Sequence, residues 1–228
     1  MTFSSQAPAI PGWRAPTRRS APARGSVTFR LGLFNLAALA LVGAAFGQGW
    51  VQQVFLADST GLTWAILAVF LAGIGVSLTA ALRLAAERDT LEGGRRRPES
   101  WVAAHREATR GRCAGSRSIA AGALRARVGA ALQPLRHLAG SLVLLGLIGT
   151  VLGFIMALSG VGAGIATDVG QVGEMVTRLI EGMSVALYTT LEGSVLSLWL
   201  TVNHQILSAA ASGLVLELVA EGEAHARD

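Results

Sequence analysis

Hydroxyl side chains follow one face of an apolar segment in the C-terminal half of the chain. Four of them are spaced at i, i+4, i+7 and i+11 within the stretch 180–207: Thr190, Ser194, Ser197 and Thr201. This spacing places them on one face of an α-helix. Polar groups are costly inside a bilayer and often mark a path for ions or protons. The stripe therefore predicts an ion pathway lined by hydroxyl groups.

A carboxylate, Glu192, lies within the same segment but on a different face. It follows Thr189 by three residues, so these two side chains share a face that is offset from that of Thr190. A carboxyl group at this depth must be protonated, hydrated or paired. We therefore include Glu192 and Thr189 among the candidate ion-pathway residues. Glu192 can relay protons or bond a neighbouring subunit.

An earlier apolar stretch, 138–160, brings another hydroxyl to the same depth. Thr150 lies ten residues before Gly160, and Thr190 lies ten residues after Ile180. At about 1.5 Å per residue, each hydroxyl is ~15 Å from the end of its apolar segment, near the centre of a hydrocarbon core of about 30 Å. We therefore predict that a helical hairpin places Thr150 beside Thr190 at mid-membrane.

Small residues on the first helix of this hairpin predict close helix packing. Gly146, Gly149 and Gly153 recur at intervals that allow two membrane helices to approach closely. Serine and threonine in membrane helices also commonly bond a carbonyl group one turn earlier. The same residues are therefore consistent with a non-conducting structural membrane scaffold, which is the alternative to an ion channel.

The composition identifies the elements that must position these side chains. The chain has 228 residues, of which 52% are hydrophobic and 14% charged, and its mean hydropathy is +0.52. A soluble domain has about 25% charged residues, so we predict an all-α integral membrane protein with about four transmembrane helices. The N-terminal part is predicted to contain a disordered basic tail (1–30), a first transmembrane hairpin (31–84) and a short Arg-rich cytoplasmic loop (85–137). The pore-forming hairpin (138–208) and a cytoplasmic C-terminal tail (209–228) follow.

The distribution of arginine predicts the topology. All 19 basic residues are arginines, and they crowd the segments 1–30 and 85–137 but nearly vanish from the other two connections. Cytoplasmic loops of membrane proteins are enriched in basic residues. Both segments and both termini are therefore predicted to be cytoplasmic, where the arginines contact anionic membrane lipids. A cleaved signal peptide at 31–46 is an alternative, since a basic region precedes this short apolar run.

The remaining sequence features argue against several other classes of protein. The single cysteine, Cys113, cannot form an internal disulfide, and the four histidines lack metal-ligand spacing. Ser184 and His204 lack the Gly-x-Ser-x-Gly turn and the oxyanion loop of a hydrolase, so no enzyme is predicted. No aromatic pattern accompanies the arginines, so nucleic-acid binding is not predicted. A small-solute transporter is disfavoured because the two halves share no internal repeat.

Both helices of the hairpin resemble the last two membrane helices of the MotA/TolQ/ExbB proton channel family. The resemblance rests on the sequences LGLIGTVLGFIM at 145–156 and GMSVALYTTLEG at 182–193. The pair of motifs is more specific than either half alone. Four spans with a cytoplasmic segment after the second resemble the flagellar-stator (MotA) arrangement. Cleavage of the first apolar run would instead give the three-span ExbB/TolQ arrangement.

The resemblance implies a function for the threonines. Such proteins form a ring, typically a homo-pentamer, around single-span partner subunits of the MotB/TolR/ExbD type, whose membrane helix carries an essential aspartate. Protons, or Na⁺ as the alternative, pass between that aspartate and the hydroxyl-lined ring, and the flow drives work on the cell envelope from the bacterial inner membrane. By this resemblance the ion-pathway role carries over to Thr150, Thr190 and Thr189. No cofactor or metal is implied.

The sequence departs from the family pattern at several positions. Val185 stands where ExbB/TolQ proteins have a glutamate, and Glu192 occupies a position that is usually apolar or aromatic. No proline lies near Trp199, where that helix commonly has one. The cytoplasmic loop is also much shorter than that of a flagellar stator. These departures argue against coupling to a flagellar rotor and leave the driven envelope process open.

Overall fold

The computed structural model describes residues 26–58, 60–93, 100–111, 113–159 and 169–224. Within these ranges the chain forms six α-helices: α1 (Ser26–Gly47), α2 (Trp50–Ala57), α3 (Leu62–Leu91), α4 (Trp101–Thr109), α5 (Ala114–Ser159) and α6 (Val169–Ala224). Helices α1, α3, α5 and α6 are long and apolar enough to cross a membrane. The predicted all-helical architecture with four candidate membrane spans is therefore confirmed.

The Arg-rich segment 85–137, predicted as the connection between the second and third spans, is mostly helical in the described residues. Helix α3 continues to Leu91, and α5 already begins at Ala114. Alanine, leucine and arginine all have high helix propensity. Buried apolar side chains also recur every three or four residues along this half of α5: Ala121, Leu124, Val128, Leu132 and Leu135. Tertiary packing of this stripe therefore stabilises the helix beyond the membrane span.

Helices α6 and α1 also extend into the two regions that were predicted as tails. The predicted C-terminal tail, 209–228, is helical through Ala224 because α6 continues to bury apolar residues such as Leu214 and Leu218. Helix α1 begins at Ser26, inside the predicted basic tail. The rest of that tail, 1–25, lies outside the described residues.

Helices α5 and α6 form an antiparallel pair that is the centre of the fold. Their backbones touch where glycines occupy the interface. A Cβ atom on Gly153 would lie 2.5 Å from the Gly182 carbonyl oxygen, and one on Gly193 would lie 2.6 Å from the Leu142 carbonyl oxygen. Small residues allow this close approach of membrane helices. Both helices also contribute fully buried leucines to the hydrophobic core: Leu135, Leu142, Leu200, Leu207 and Leu214.

Helices α1 and α3 pack against α6. The Asn35 side chain of α1 accepts a hydrogen bond from Trp199 Nε1 at 2.7 Å and forms two with the Asn203 amide, at 3.0 and 3.1 Å. Phe70 of α3 meets the Trp199 ring edge-on, with centroids 5.1 Å apart. The outer faces of the helices expose large apolar side chains, including Leu36, Leu71, Leu147 and Leu187. A surface of this kind is suited to contact with lipid or with another membrane helix.

Buried and charged contacts fix the Arg-rich end of the bundle. Glu87 of α3 accepts hydrogen bonds from Ser100 Oγ, Trp101 N and Val102 N, at 2.7, 3.0 and 3.1 Å. These two N–H groups belong to the first turn of α4, so the buried carboxylate caps that helix. Two salt bridges connect α4 and α5 to the last turns of α6: Arg106–Glu221 and Arg117–Glu223.

Candidate functional site

The hydroxyl groups of Thr150 and Thr190 meet where α5 crosses α6. Their Oγ1 atoms are 2.7 Å apart. Both hydroxyls also lie 3.1 Å from the Gly146 carbonyl oxygen, and Thr190 Oγ1 lies 3.0 Å from the Ala186 carbonyl oxygen. The predicted juxtaposition of these two threonines is therefore confirmed.

This pair of hydroxyls can rearrange its hydrogen bonds without moving a heavy atom. Each hydroxyl donates one hydrogen and can accept two. The acceptors within reach are two backbone carbonyls and the other hydroxyl, so either threonine can be the donor. Such a pair can pass on a proton or present two oxygens to a small cation. In the part of the chain that the structure describes, no three His, Cys, Asp or Glu side chains cluster as a metal site would require.

Glycines on α5 make the threonine contact possible. A Cβ atom on Gly146 would lie 3.1 Å from the Thr189 carbonyl oxygen and 3.3 Å from Thr190 Cα. A Cβ atom on Gly149 would overlap the Thr189 side chain, and Gly153 meets the α6 backbone further along. These three glycines thus lie at the helix crossing, where the sequence predicts a packing face.

Two other candidate hydroxyls are turned into the helix packing. Thr189 is 1% exposed, and its Oγ1 donates to the Val185 carbonyl oxygen of its own helix at 2.8 Å. Ser197 is 7% exposed and donates to the Ala139 carbonyl oxygen of α5 at 2.7 Å. Both hydroxyls donate their hydrogen to a backbone carbonyl and keep free lone pairs, but burial in the helix packing closes them off from an ion. Their ion-pathway role stays a prediction.

The remaining members of the hydroxyl stripe lie toward the open side of α6. Ser194 is exposed and Thr201 is half-buried. Thr190 itself lies at the border between the contact with α5 and an exposed face of α6. That face also carries three exposed leucines: Leu187, Leu191 and Leu198. The stripe is therefore divided, because Thr190 and Ser197 bond to α5 while Ser194 faces outward.

Glu192 faces α3 and lies apart from the threonine pair. Two residues after Thr190, its side chain points about 200° further around α6. Its polar neighbours are the Thr63 hydroxyl in the first turn of α3 and the Asp58 carboxylate just before that helix. Glu192 Oε2 is buried and has no hydrogen-bond partner among the described residues. The sequence groups Glu192 with the hydroxyl pathway, whereas the structure separates the two.

Asp58 and Thr63 are polar residues that the sequence analysis does not include among the candidates. Asp58 Oδ2 accepts a hydrogen bond from Thr63 N at 2.7 Å, and Oδ1 accepts two from Thr60 N and Oγ1, at 2.9 and 2.6 Å. Burial alone would raise the pKa of Asp58, but these hydrogen bonds outweigh it and lower the pKa. An aspartate followed by small polar residues just before an apolar run is a signal for a helix start. This signal in the sequence could have identified Asp58 as the cap of α3, but it does not show that Glu192 lies next to it.

Helix α3 begins close to the threonine pair. Leu62, the first residue of α3, comes within 2.9 Å of the place that a Gly149 Cβ atom would occupy. The uncharged part of α3, 62–82, is ~31 Å long, which just covers a hydrocarbon core of about 30 Å. Thr150 and Thr190 therefore lie near the level of the first turn of α3. Their depth near the centre of the membrane stays a prediction.

Four apolar helices of spanning length, packed around one hairpin, define a multi-pass, all-helical membrane protein. The model of the MotA/TolQ/ExbB proton channel family matches residues 102–219, and the chain belongs to this family. The match includes the threonine pair and Glu192 but excludes α1, α2 and α3. The family is one of proton channels and not of enzymes, which indicates a channel-type membrane subunit. No curated protein and no solved structure matches the chain at a significant level.

Proposed function

We propose that this chain is the ion-conducting subunit of a membrane complex driven by the proton motive force. In this proposal it forms a homo-pentameric ring in a bacterial inner membrane, with both termini and the Arg-rich segment on the cytoplasmic side. The observation that carries the proposal is the 2.7 Å contact between Thr150 and Thr190, within the region that the family match covers. Protons are the proposed ions, with Na⁺ as the alternative, because hydroxyl oxygens can serve either.

A partner is needed because the threonine pair alone cannot store a proton. The stretch 138–159 of α5 contains no charged residue, and a hydroxyl group does not titrate near neutral pH. The open face beside Thr190 carries Leu187, Leu191 and Leu198, an apolar surface on which another membrane helix can pack. We infer that this helix belongs to a single-span subunit of the MotB/TolR/ExbD type. Its membrane aspartate would exchange ions with the threonine pair.

Removing the hydroxyls tests ion transfer through the pair. Thr150→Val and Thr190→Val keep the shape of the side chain but remove its oxygen, whereas Thr150→Ser and Thr190→Ser retain the oxygen. In vesicles that contain the whole complex, we expect ion flux to fall at least about tenfold in the valine variants, a barrier increase of ~1.4 kcal/mol. The serine variants should conduct. Thr177→Val, at an exposed position of α6, is the matched control, and full flux in both valine variants would contradict the proposal.

The assembly is tested by the mass of the complex after gentle extraction. Native mass measurement in nanodiscs should give a homo-pentamer of this chain together with a smaller single-span protein. The partner should carry an aspartate within its membrane helix. Recovery of the chain only as a monomer, or as an assembly without a partner, would count against the proposal.

A non-conducting scaffold is the second candidate function, and specific contacts favour it. Thr189 and Ser197 bond to backbone carbonyls, and the glycines of α5 are used in packing. Under this alternative the valine variants of the threonine pair retain full activity in the cell. Ser197→Ala, which removes a hydrogen bond between the helices, would then be the variant that impairs it.

A further inference from the structure

A second polar cluster lies on the opposite side of α6 from the threonine pair. It contains the carboxylates of Asp58 and Glu192, with the Thr63 hydroxyl next to both. Thr63 is 0% exposed, and neither its Oγ1 atom nor Glu192 Oε2 has a hydrogen-bond partner among the described residues. Buried polar atoms are nearly always partnered. The Thr63 hydroxyl faces both carboxylates but has one hydrogen, so it can serve one carboxylate oxygen at most, and the buried Glu192 Oε2 that stays without a donor in the described part of the chain indicates a site for a ligand.

The negative charge of this cluster is not compensated by its surroundings. The stretches that pack around it contain no charged residue: 31–57 in α1 and α2, 64–82 in α3, and 138–159 in α5. Along α6 the nearest titratable residue is Tyr188, four positions away, whose hydroxyl donates to Gln53; the next are Glu181 and His204, 11 and 12 positions away. Asp58 is the charged group that acts on Glu192. Two neighbouring carboxylates in such surroundings require a proton or a cation between them.

The two carboxylates differ in how they are held. Asp58 accepts three hydrogen bonds from Thr60 and Thr63, and the resulting lower pKa keeps it ionised at neutral pH. Glu192 Oε2 accepts none within the described ranges. The open coordination is therefore on the side of Glu192 and the Thr63 hydroxyl, and Asp58 supplies a fixed negative charge.

We propose that Asp58, Thr63 and Glu192 form a binding site for one monovalent cation, either a proton on Glu192 or Na⁺ among the three oxygens. All the groups are hard oxygen donors, which suit an alkali cation. Asp58 and Thr63 lie outside the family match and Glu192 lies within it, so the site is only partly formed by the matched region. Cation binding here does not depend on conduction through the threonine pair. It is measured through the stability of the chain itself.

Thermal unfolding of the purified full chain tests the Na⁺ form of the site. A cation that binds only the folded state raises the unfolding temperature in a saturable way. We expect NaCl to raise Tm by about 2 °C or more relative to N-methylglucamine chloride at equal ionic strength. This rise should be lost in Glu192→Gln and in Thr63→Val.

The proton form gives a different result in the same measurement. Na⁺ then has no specific effect. The Tm of the unmodified chain falls as the pH rises above about 4.3, where the unfolded chain releases the Glu192 proton, until the folded chain releases it too, because burial and the charge of Asp58 both disfavour ionised Glu192. Glu192→Gln should remove this fall, since its amide stays neutral throughout. Asp58→Asn should reduce the fall, since it removes the repelling charge.

Glu181→Gln is the matched control, because Glu181 is an exposed carboxylate on the same helix. It should behave as the unmodified chain in both titrations. If Glu192→Gln does not fold, Thr63→Val is the second variant. It leaves the hydrogen bond from the Thr63 backbone N–H to Asp58 intact. The proposal is overturned if both variants respond to Na⁺ and to pH as Glu181→Gln does.

Discussion

Three neighbouring polar residues of α6 have different roles because their side chains have different partners, although Thr189 and Thr190 both lie against α5. The Thr189 hydroxyl bonds to its own backbone, Thr190 meets Thr150 on α5, and Glu192 faces the start of α3. Successive helical positions are rotated by about 100°, so residues within one turn can contact separate partners. A substitution at one of them should therefore affect one contact, provided that the helix itself stays in position.

The Asp58 cap predicts a loss of stability in acid. Burial alone would raise the pKa of Asp58, but hydrogen bonds from Thr60 and Thr63 lower it below the ordinary value of 3.8. Such a carboxylate stabilises the fold above its unfolded pKa, and the contribution is lost as the pH falls through the folded pKa. Asp58→Ala should cost ~1 kcal/mol at pH 7, as the loss of a helix cap does. Hydrogen exchange in the first turn of α3 measures the effect.

The difference between Asp58→Ala and the unmodified chain should shrink once the pH falls below that ordinary value. Both proteins lack the negative charge at this position once the pH is also below the folded pKa. A difference that stays constant across the whole acid range would show that the carboxylate charge does not contribute to the cap.

At the scale of the helices, the α5–α6 crossing predicts opposite effects for two glycines of α5. A Cβ atom on Gly153 would lie 2.5 and 2.6 Å from backbone atoms of Gly182 and Ala186, which cannot shift unless the helices separate. Gly153→Ala should therefore cost roughly 1–3 kcal/mol, as overpacking does. Gly140→Ala meets nothing within 4 Å and should stabilise α5 by roughly 0.5–1 kcal/mol. Unfolding of the reconstituted protein by denaturing detergent compares the two.

Equal effects of the two alanine substitutions would contradict the packing argument. Gly140 is the appropriate control because it lies on the same helix and is exposed. The comparison thus separates the helix propensity of alanine from the loss of close backbone contact.

The sequence predicts contacts within one hairpin better than contacts between hairpins. Thr150 and Thr190 lie at matching distances from a single connection, so counting residues is sufficient to pair them. Glu192 meets Asp58 and Thr63 from a distant part of the chain, and no spacing within α6 specifies that neighbour. Helical packing at 114–137 is missed because arginines alternate with the buried stripe.

At the scale of the whole molecule, the number of membrane spans is four if α1 is retained and three if it is cleaved. Asn203 of α6 is 0% exposed, and its amide bonds to Asn35 of α1. Trp199 Nε1 also donates to Asn35. Cleavage of the run 31–46 would leave both groups without these partners in the apolar interior. An unsatisfied buried polar group costs about 1–3 kcal/mol, so the contacts favour retention of α1.

Retention of α1 predicts both the mass of the mature protein and the effect of one substitution. The intact mass of the chain purified from membranes should include the residues of α1. Asn35→Leu should lower stability by about 1–3 kcal/mol, because it leaves the Asn203 amide and Trp199 Nε1 unpaired. Leu39→Ala, at an exposed position of the same helix, is the control and should have little effect. A mature chain that begins after residue 46, together with a neutral Asn35→Leu, would instead establish the three-span arrangement.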